Sequence, residues 1–308
     1  MSDKTPEELR YSRPLDVHKW SDHSEVNDFV DQLWDEFLAS EFAESVTRGK
    51  RPKTPLKQQF KVLLLDLYIA WKEDPKLLIG VAMSKSSYKT NSRYNALHIS
   101  QKMIDLINYL HEQTLIDLHT GSELARRVTR IWPTSKLLKY FEEAKLDDLL
   151  INPHQDKEVI ILNSGALLDS EEETNNRRRH RPLEYKDEDY EPIVQMRQDL
   201  RSYNELLRTT FIDIGSLKEP VIERTYWDRH QQKHVTQKVG INHFNKFVRR
   251  IFYRGSWELG GRFHGGFWQQ INEEHRALIL IDDHETVEQD FSGLHINLCY
   301  GIQEQTPP

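Results

Sequence analysis

Sulfur is scarce: the 308 residues include one cysteine, Cys299, and four methionines. A disulfide needs a second thiol and a structural zinc site needs several Cys and His at fixed spacing, so both are excluded for Cys299. It stands in an apolar helical pattern and is expected to be a buried, inert thiol. Long apolar runs are also missing. No stretch approaches the roughly 18 consecutive apolar residues of a membrane-spanning helix, which leaves no membrane partner. The opening "MSDKTPEELRYSRPLD" has no basic segment followed by an apolar one, so it does not read as a signal peptide, and a cytoplasmic location is expected. Internal repeats are absent. What remains is 37% hydrophobic and 30% charged, a composition suited to a soluble chain with a sizeable core and room for two or three domains.

An excess of positive charge is lacking as well. The net charge is −7, which by itself argues against a polyanionic partner. The charge is unevenly spread, however. Residues 84–145 hold ten Lys and Arg against six Asp and Glu, so this window is +4 and the remainder of the chain −11.

Periodicity divides the chain into four segments. Residues 1–50 read as a polar tail and one amphipathic helix, with Val26, Phe29, Val30, Leu33, Trp34, Phe37 and Leu38 recurring at three and four. Residues 51–150 begin with a basic linker. Thr54 is expected to cap, and Pro55 to open, a helix reaching about Trp71. A strand and loop follow over "LLIGVAMSKSSY", then a short helical turn at "SRYNAL". The next helix, "HISQKMIDLINYLHEQ", is capped by Ser100, with Ile104, Ile107, Leu110 and Met103 inward. Two strands, "TLIDLHTG" and "VTRIWPT", flank the loop "SELARR", and "SKLLKYFEEA" closes the segment as a helix. This is the order of a winged helix-turn-helix. Residues 151–190 hold a strand, "KEVIILN", and a connector of acidic and basic runs, expected to be disordered or exposed. Residues 191–308 open with a helix and then a two-stranded ribbon over "VIERTYWDRHQQKHVTQKV". A hairpin follows, formed by "RALILID" and "TVEQDFS" around "DHE", and a helix begins at Gly293. The fold class is α+β.

In a winged helix-turn-helix the second helix enters the major groove and the wing grips the backbone. Gln101 and Lys102, with Asp105, would face base edges, while Arg126, Arg127 and Arg130 would neutralise phosphates of double-stranded DNA, with Arg93 adding to the footprint. The same residues could form a solvated face on a protein-protein module. The run "RIWPTSKL" resembles the "R-[IM]-x-x-T-x-K-L" pattern of winged-helix replication initiators of plasmids and phages. That resemblance covers roughly 60 residues and implies DNA binding in the service of replication in a mobile element.

Asp290 closes the second strand of the C-terminal hairpin next to a helix start, where a carboxylate can hold a hard cation such as magnesium. It could equally cap that helix. The glycine cluster 255, 260, 261, 265 and 266 lacks the Lys-Ser/Thr of a phosphate loop. In order, "GGRFHG", "WQQI", Arg276 and "DFSGLH" resemble the pre-palm and palm motifs of family A DNA polymerases and single-subunit phage RNA polymerases. The resemblance implies Asp290 as the motif A metal ligand, Ser292 beside the incoming triphosphate and Arg262 on a phosphate or the template-primer. His295 would stand at the sugar-sensing position, where those DNA polymerases carry Glu. It covers about 50 residues and ends at Pro308, before the fingers helix and the motif C carboxylate that a two-metal site requires. Three expectations follow: a DNA-binding, replication-associated protein with an incomplete palm, a nucleotidyltransferase completed by a second polypeptide, or a transcriptional regulator with a C-terminal assembly domain.

Overall fold

The computed structural model describes residues 4–5, 8–9, 11–42, 54–120, 128–165, 181–215, 217, 221–228, 232–243, 245–287 and 294–304. The fold is mixed α and β, in two compact units: one formed by Met1–Asn204 and Phe247–Gly265, the other by Glu205–Lys246 and Gly266–Pro308. In chain order the first unit contains β1 (Ser12–Pro14), β2 (Lys19–Trp20), α1 (Ser24–Leu33), α2 (Leu56–Glu73), β3 (Leu78–Val81), α3 (Lys102–Glu112), β4 (Ile116–His119) and β5 (Thr129–Pro133). It continues with α4 (Ser135–Ala144), β6 (Asn152–Pro153), β7 (Ile160–Leu162) and most of α5 (Ile193–Thr209).

Its centre is α2, buried without interruption from Gln59 to Ala70. A helix apolar on one stripe only would sit at a surface. One that must be covered all round sits inside, and the polar residues it carries there need partners. Gln59 accepts hydrogen bonds from the Ser100 amide (3.0 Å) and hydroxyl (3.1 Å) and donates to the Thr54 carbonyl (2.9 Å). Lys61 donates to Asn27 Oδ1 at 2.7 Å and to the Ser21 carbonyl, with its ammonium 3.9 Å from the centre of the Trp20 ring. Asp66, fully buried, accepts from Arg13 Nη1 and from the Asp16 amide, each at 2.9 Å.

Around α2 pack Phe29 of α1, Tyr68 of α2 itself and Phe141 of α4, with ring centroids 5.2–6.4 Å apart. The inward face of α3 is Met103, Leu106, Ile107 and Leu110; Ile104, expected inside, is only half-buried. Thr54 does not cap α2. Its hydroxyl is spent on the Leu97 carbonyl, and Pro55 occupies the cap position. The stretch at 92–97 is not helical: it is a pair of hydrogen-bonded turns, Asn95 N to Ser92 O at 3.0 Å and His98 N to Asn95 O at 2.9 Å. Asn95 fixes them by pairing its side-chain amide with both backbone groups of Ile99, each at 2.8 Å.

The supposed polar tail also contributes structure. β1 lies parallel to β3, with Ser12 opposite Leu78, completing a four-stranded sheet of order β1-β3-β5-β4 in which β5 is antiparallel to both neighbours. β2 pairs with β6.

Part of the connector expected to be disordered or exposed is packed. Tyr185 is 8% exposed, its hydroxyl donating to the Ile160 carbonyl at 2.9 Å, and Tyr190 stacks on Trp257 at 5.6 Å. A low apolar content could not secure this segment, and ion pairs do so instead (below). β11 (Arg249–Phe252) runs parallel to β7 and antiparallel to β12 (Gly260–His264), giving a sheet of order β12-β11-β7.

The second unit holds β8 (Ile212–Ile214), the ribbon β9 (Val221–Asp228) and β10 (Lys233–Gly240), the hairpin β13 (Ile279–Ile281) and β14 (His284–Glu285), and α6 (Leu294–Ile302). The ribbon pairs in one unbroken antiparallel register from Asp228↔Lys233 to Val221↔Gly240. The C-terminal hairpin turns at Asp282 and Asp283, both at positive φ (49° and 63°), the geometry that matches strand twist in a two-residue loop. β13 pairs on its other side with β8. Cys299 on α6 is exposed rather than buried, as are Leu298 and Ile302, because nothing among the described residues covers that face of the helix. No described helix is long and apolar enough to cross a membrane.

Candidate nucleic-acid interface

The residues singled out in the sequence separate into three groups. In the first, α3 presents Gln101 and Asp105 to solvent at and near its start. The Lys102 ammonium is 2.9 Å from Asp105 Oδ2. An exposed pair at this spacing contributes only about 0.3–0.5 kcal/mol, so Lys102 can exchange it for a stronger acceptor at little cost. Arg130, on β5 opposite Gly80 and His119, turns its Nε to Ser12 Oγ at 3.3 Å and a terminal nitrogen to the Val128 carbonyl. Arg126 and Arg127, between β4 and β5, lie outside the described residues.

Arg93 belongs to the second group, a partly buried ion-pair network. Its Nη1 is 3.1 Å from Glu158 Oε2, its Nη2 is 3.2 Å from Asp187 Oδ1, and its guanidinium lies 3.6 Å from the centre of the Tyr185 ring. Arg197 of α5 shares both acids. The Asp187 carboxyl is held below the usual carboxylate range, chiefly by the hydrogen bonds from Arg197. Glu184 receives the Arg93 amide at 3.2 Å and the Ser92 hydroxyl. With both terminal nitrogens on acids and its backbone amide on Glu184, Arg93 ties residues 184–187 to the turn at 92–94 and is not a free phosphate contact.

The third group is C-terminal. Asp290 and Ser292 lie outside the described residues, as does the side chain of His295, although its backbone is in the first turn of α6. Among the described residues no cluster of three or more His, Cys, Asp or Glu could hold a metal ion. Arg262 is in the middle of β12, opposite Ile251, exposed, and its guanidinium has no hydrogen-bond or ion-pair partner among the described residues. The glycines around it serve the backbone. Gly260 (φ +91°) and Gly261 (φ +75°) sit where the register shifts between Ile251 and Phe252, and a Cβ on Gly260 would meet Tyr253 at 2.5 Å. Gly265 (φ +136°) passes so close to Phe247 that a Cβ would stand 2.3 Å from its carbonyl oxygen. The run "GGRFHGG" is thus a strand with glycine hinges, which carries Arg262 outward.

A further buried cluster was not foreseen. Asp16 accepts from the His18 amide at 3.1 Å and from Lys157 Nζ at 3.3 Å. Burial alone would raise its carboxyl, but His18, Lys157 and Lys19 together hold it far below the ordinary range. Burial lowers the Lys157 ammonium in turn. With Asp16, His18 and Lys157 paired and largely covered, this cluster is structural. Lys157 stands in a stretch read only as a strand, and nothing local in the sequence announces its partner, so only the folded chain reveals the pair.

Comparison of the chain with protein-family models, with curated proteins and with solved structures finds no match.

Proposed function

We propose that the chain is a DNA-binding, replication-associated protein whose N-terminal unit grips duplex DNA in the manner of a winged helix. The observation that carries this reading is topological. α2, β3, α3, β4 and β5 follow one another in that order, and β3-β5-β4 is the strand order in which a β4–β5 wing stands beside the second helix of such a module. Lys102 at the start of α3 and Arg130 on β5 lie on the elements that would meet the groove and the backbone, and the β4–β5 connection carries Arg126 and Arg127. Turns replace a helix between β3 and α3, which leaves α3 to act without a complete partner helix. Gel shift with duplex DNA tests the reading: Arg126→Ala with Arg127→Ala should weaken binding across all sequences, because these contacts are to phosphates.

The polymerase-like reading of the C-terminal half is proposed beside it, and what supports it is the helix α6 that begins at Leu294, shortly after Asp290. The second hairpin strand is His284–Glu285 rather than the expected run 286–292, so Asp290 follows that strand instead of closing it. In this reading Asp290 would hold magnesium. Primer extension with magnesium, with and without Asp290→Ala, decides it: equal incorporation by both proteins would remove Asp290 from the chemistry.

A further inference from the structure

The sheet β12-β11-β7 has two unlike faces. Residues directly opposite in an antiparallel pair share a face, so Arg250 and Phe263 fall on one side, and Arg249, His264, Ile251 and Arg262 on the other. On the first side the arginine is consumed: Arg250 Nε donates to the Gly261 carbonyl at 2.9 Å, its Nη1 meets Met196 Sδ at 2.9 Å, and its guanidinium packs 5.1 Å from the Phe252 ring.

The second side spends none of its charge. Arg249 and Arg262 are both exposed, and neither guanidinium has a hydrogen-bond or ion-pair partner among the described residues. They are diagonal neighbours across the strand pair, a spacing of about 7–8 Å. His264 stands directly opposite Arg249, and its Nε2 is 3.2 Å from the Tyr253 hydroxyl. Its imidazole is shifted down, first by burial and then by Arg249 and Arg262, and no carboxylate counters them. In a chain of net charge −7 with 49 acids, two adjacent arginines left without any acid form a surface complementary to an anion that the protein does not supply.

The edge position suggests which anion. β12 is the outer strand of its sheet and shows Arg262 on one face and, on the other, Phe263, 51% exposed, with Tyr203 of α5 at 6.2 Å and 43% exposed. Cations that track a backbone, next to aromatic rings on which bases stack, are how sequence-tolerant single-strand surfaces are built. A flexible strand can place phosphates on one side of a sheet edge and bases against the other, which a stiff duplex cannot do. We propose that the β11–β12 edge is a second nucleic-acid surface, in which Arg249 and Arg262, flanked by His264, hold successive phosphates of a single strand while Phe263 and Tyr203 stack its bases.

The test uses the full chain and a fluorescent oligothymidylate, with binding followed by anisotropy from 50 to 200 mM salt. Arg249→Ala with Arg262→Ala should weaken single-strand binding about tenfold or more at low salt and reduce the slope of log K against log salt by about 1.4. Phe263→Ala should weaken single-strand binding with the salt slope unchanged, and Arg249→Lys with Arg262→Lys should restore much of the affinity. Because both arginines are exposed and unpartnered, circular dichroism should be unaltered. Duplex binding by the double variant should stay at the wild-type level, whereas Arg126→Ala with Arg127→Ala should lower duplex binding alone, so failure of this surface and failure of the winged-helix reading are told apart. The proposal is overturned by an absence of single-strand binding in the wild type, or by single-strand affinity unchanged in the double variant. An equal loss on duplex, or a loss confined to inorganic triphosphate used as competitor, which would assign the face to free nucleotides, also overturns it.

Discussion

Arg197 binds Asp187 with both terminal nitrogens, Nη1 to Oδ2 at 2.8 Å and Nη2 to Oδ1 at 2.9 Å, and turns its Nε to Glu158 at 3.0 Å. Few apolar residues lie between 181 and 190, so this fork, together with Arg93, takes the place of a hydrophobic anchor. Bidentate pairs of this kind depend on the planar guanidinium. Arg197→Ala should cost about 3 kcal/mol, because it leaves buried Glu158 and its neighbour Asp187 with Arg93 as their one remaining guanidinium in the network. Arg197→Lys should recover little of the loss. The check is the denaturant midpoint, together with faster proteolysis within 181–190 in the variants.

A second prediction concerns acid. The folded Asp16 carboxyl lies below its unfolded value, so its contribution to stability is present above the ordinary carboxylate range and is lost as pH falls through it. Asp16→Asn should therefore destabilise by about 2–3 kcal/mol at pH 7, leaving Lys157 without its carboxylate. The gap between wild type and variant should close progressively below about pH 4. Urea melts across pH measure it, and a gap that widens in acid would contradict the assignment.

Two substitutions at the C-terminal end should behave in opposite ways. Cys299 is exposed, so it should react with an aromatic disulfide reagent in the native protein, and Cys299→Ser should stay within about 0.5 kcal/mol of wild type. Gly265→Ala should instead cost more than about 1 kcal/mol, because the added Cβ meets the Phe247 carbonyl at 2.3 Å and φ is +136°. Thermal melts of both variants distinguish an open face from a tight one.

Much of the fold was legible where a pattern extended over ten residues or more. α2, α3, α4 and α5 follow their apolar spacing, and the polar, turn-like middle of residues 221–239 marked the ribbon of β9 and β10. Short elements were not legible. β1 has three residues and is a strand only because β3 accepts it from a distance in sequence, which no local signal reports. The packing of Tyr185 likewise depends on Arg93 and Trp257, far away along the chain.

The candidate sites show the same limit. Arg262 could be singled out by resemblance to a motif, but its neighbours Arg249 and His264 could not, because the shift at Ile251/Phe252 sets which residues face each other. For Arg93, positive charge in the sequence suggested a phosphate contact and the fold instead supplies two acids. A count of charges cannot tell a paired guanidinium from a free one.

The salt dependence of duplex binding tests the central claim most directly. Binding of the full chain to a duplex, measured from 50 to 200 mM salt, should fall linearly in log K against log salt. The Arg126→Ala, Arg127→Ala protein should show a slope shallower by about 1.8. A protein that binds no duplex, or a variant whose slope matches the wild type, would contradict the account.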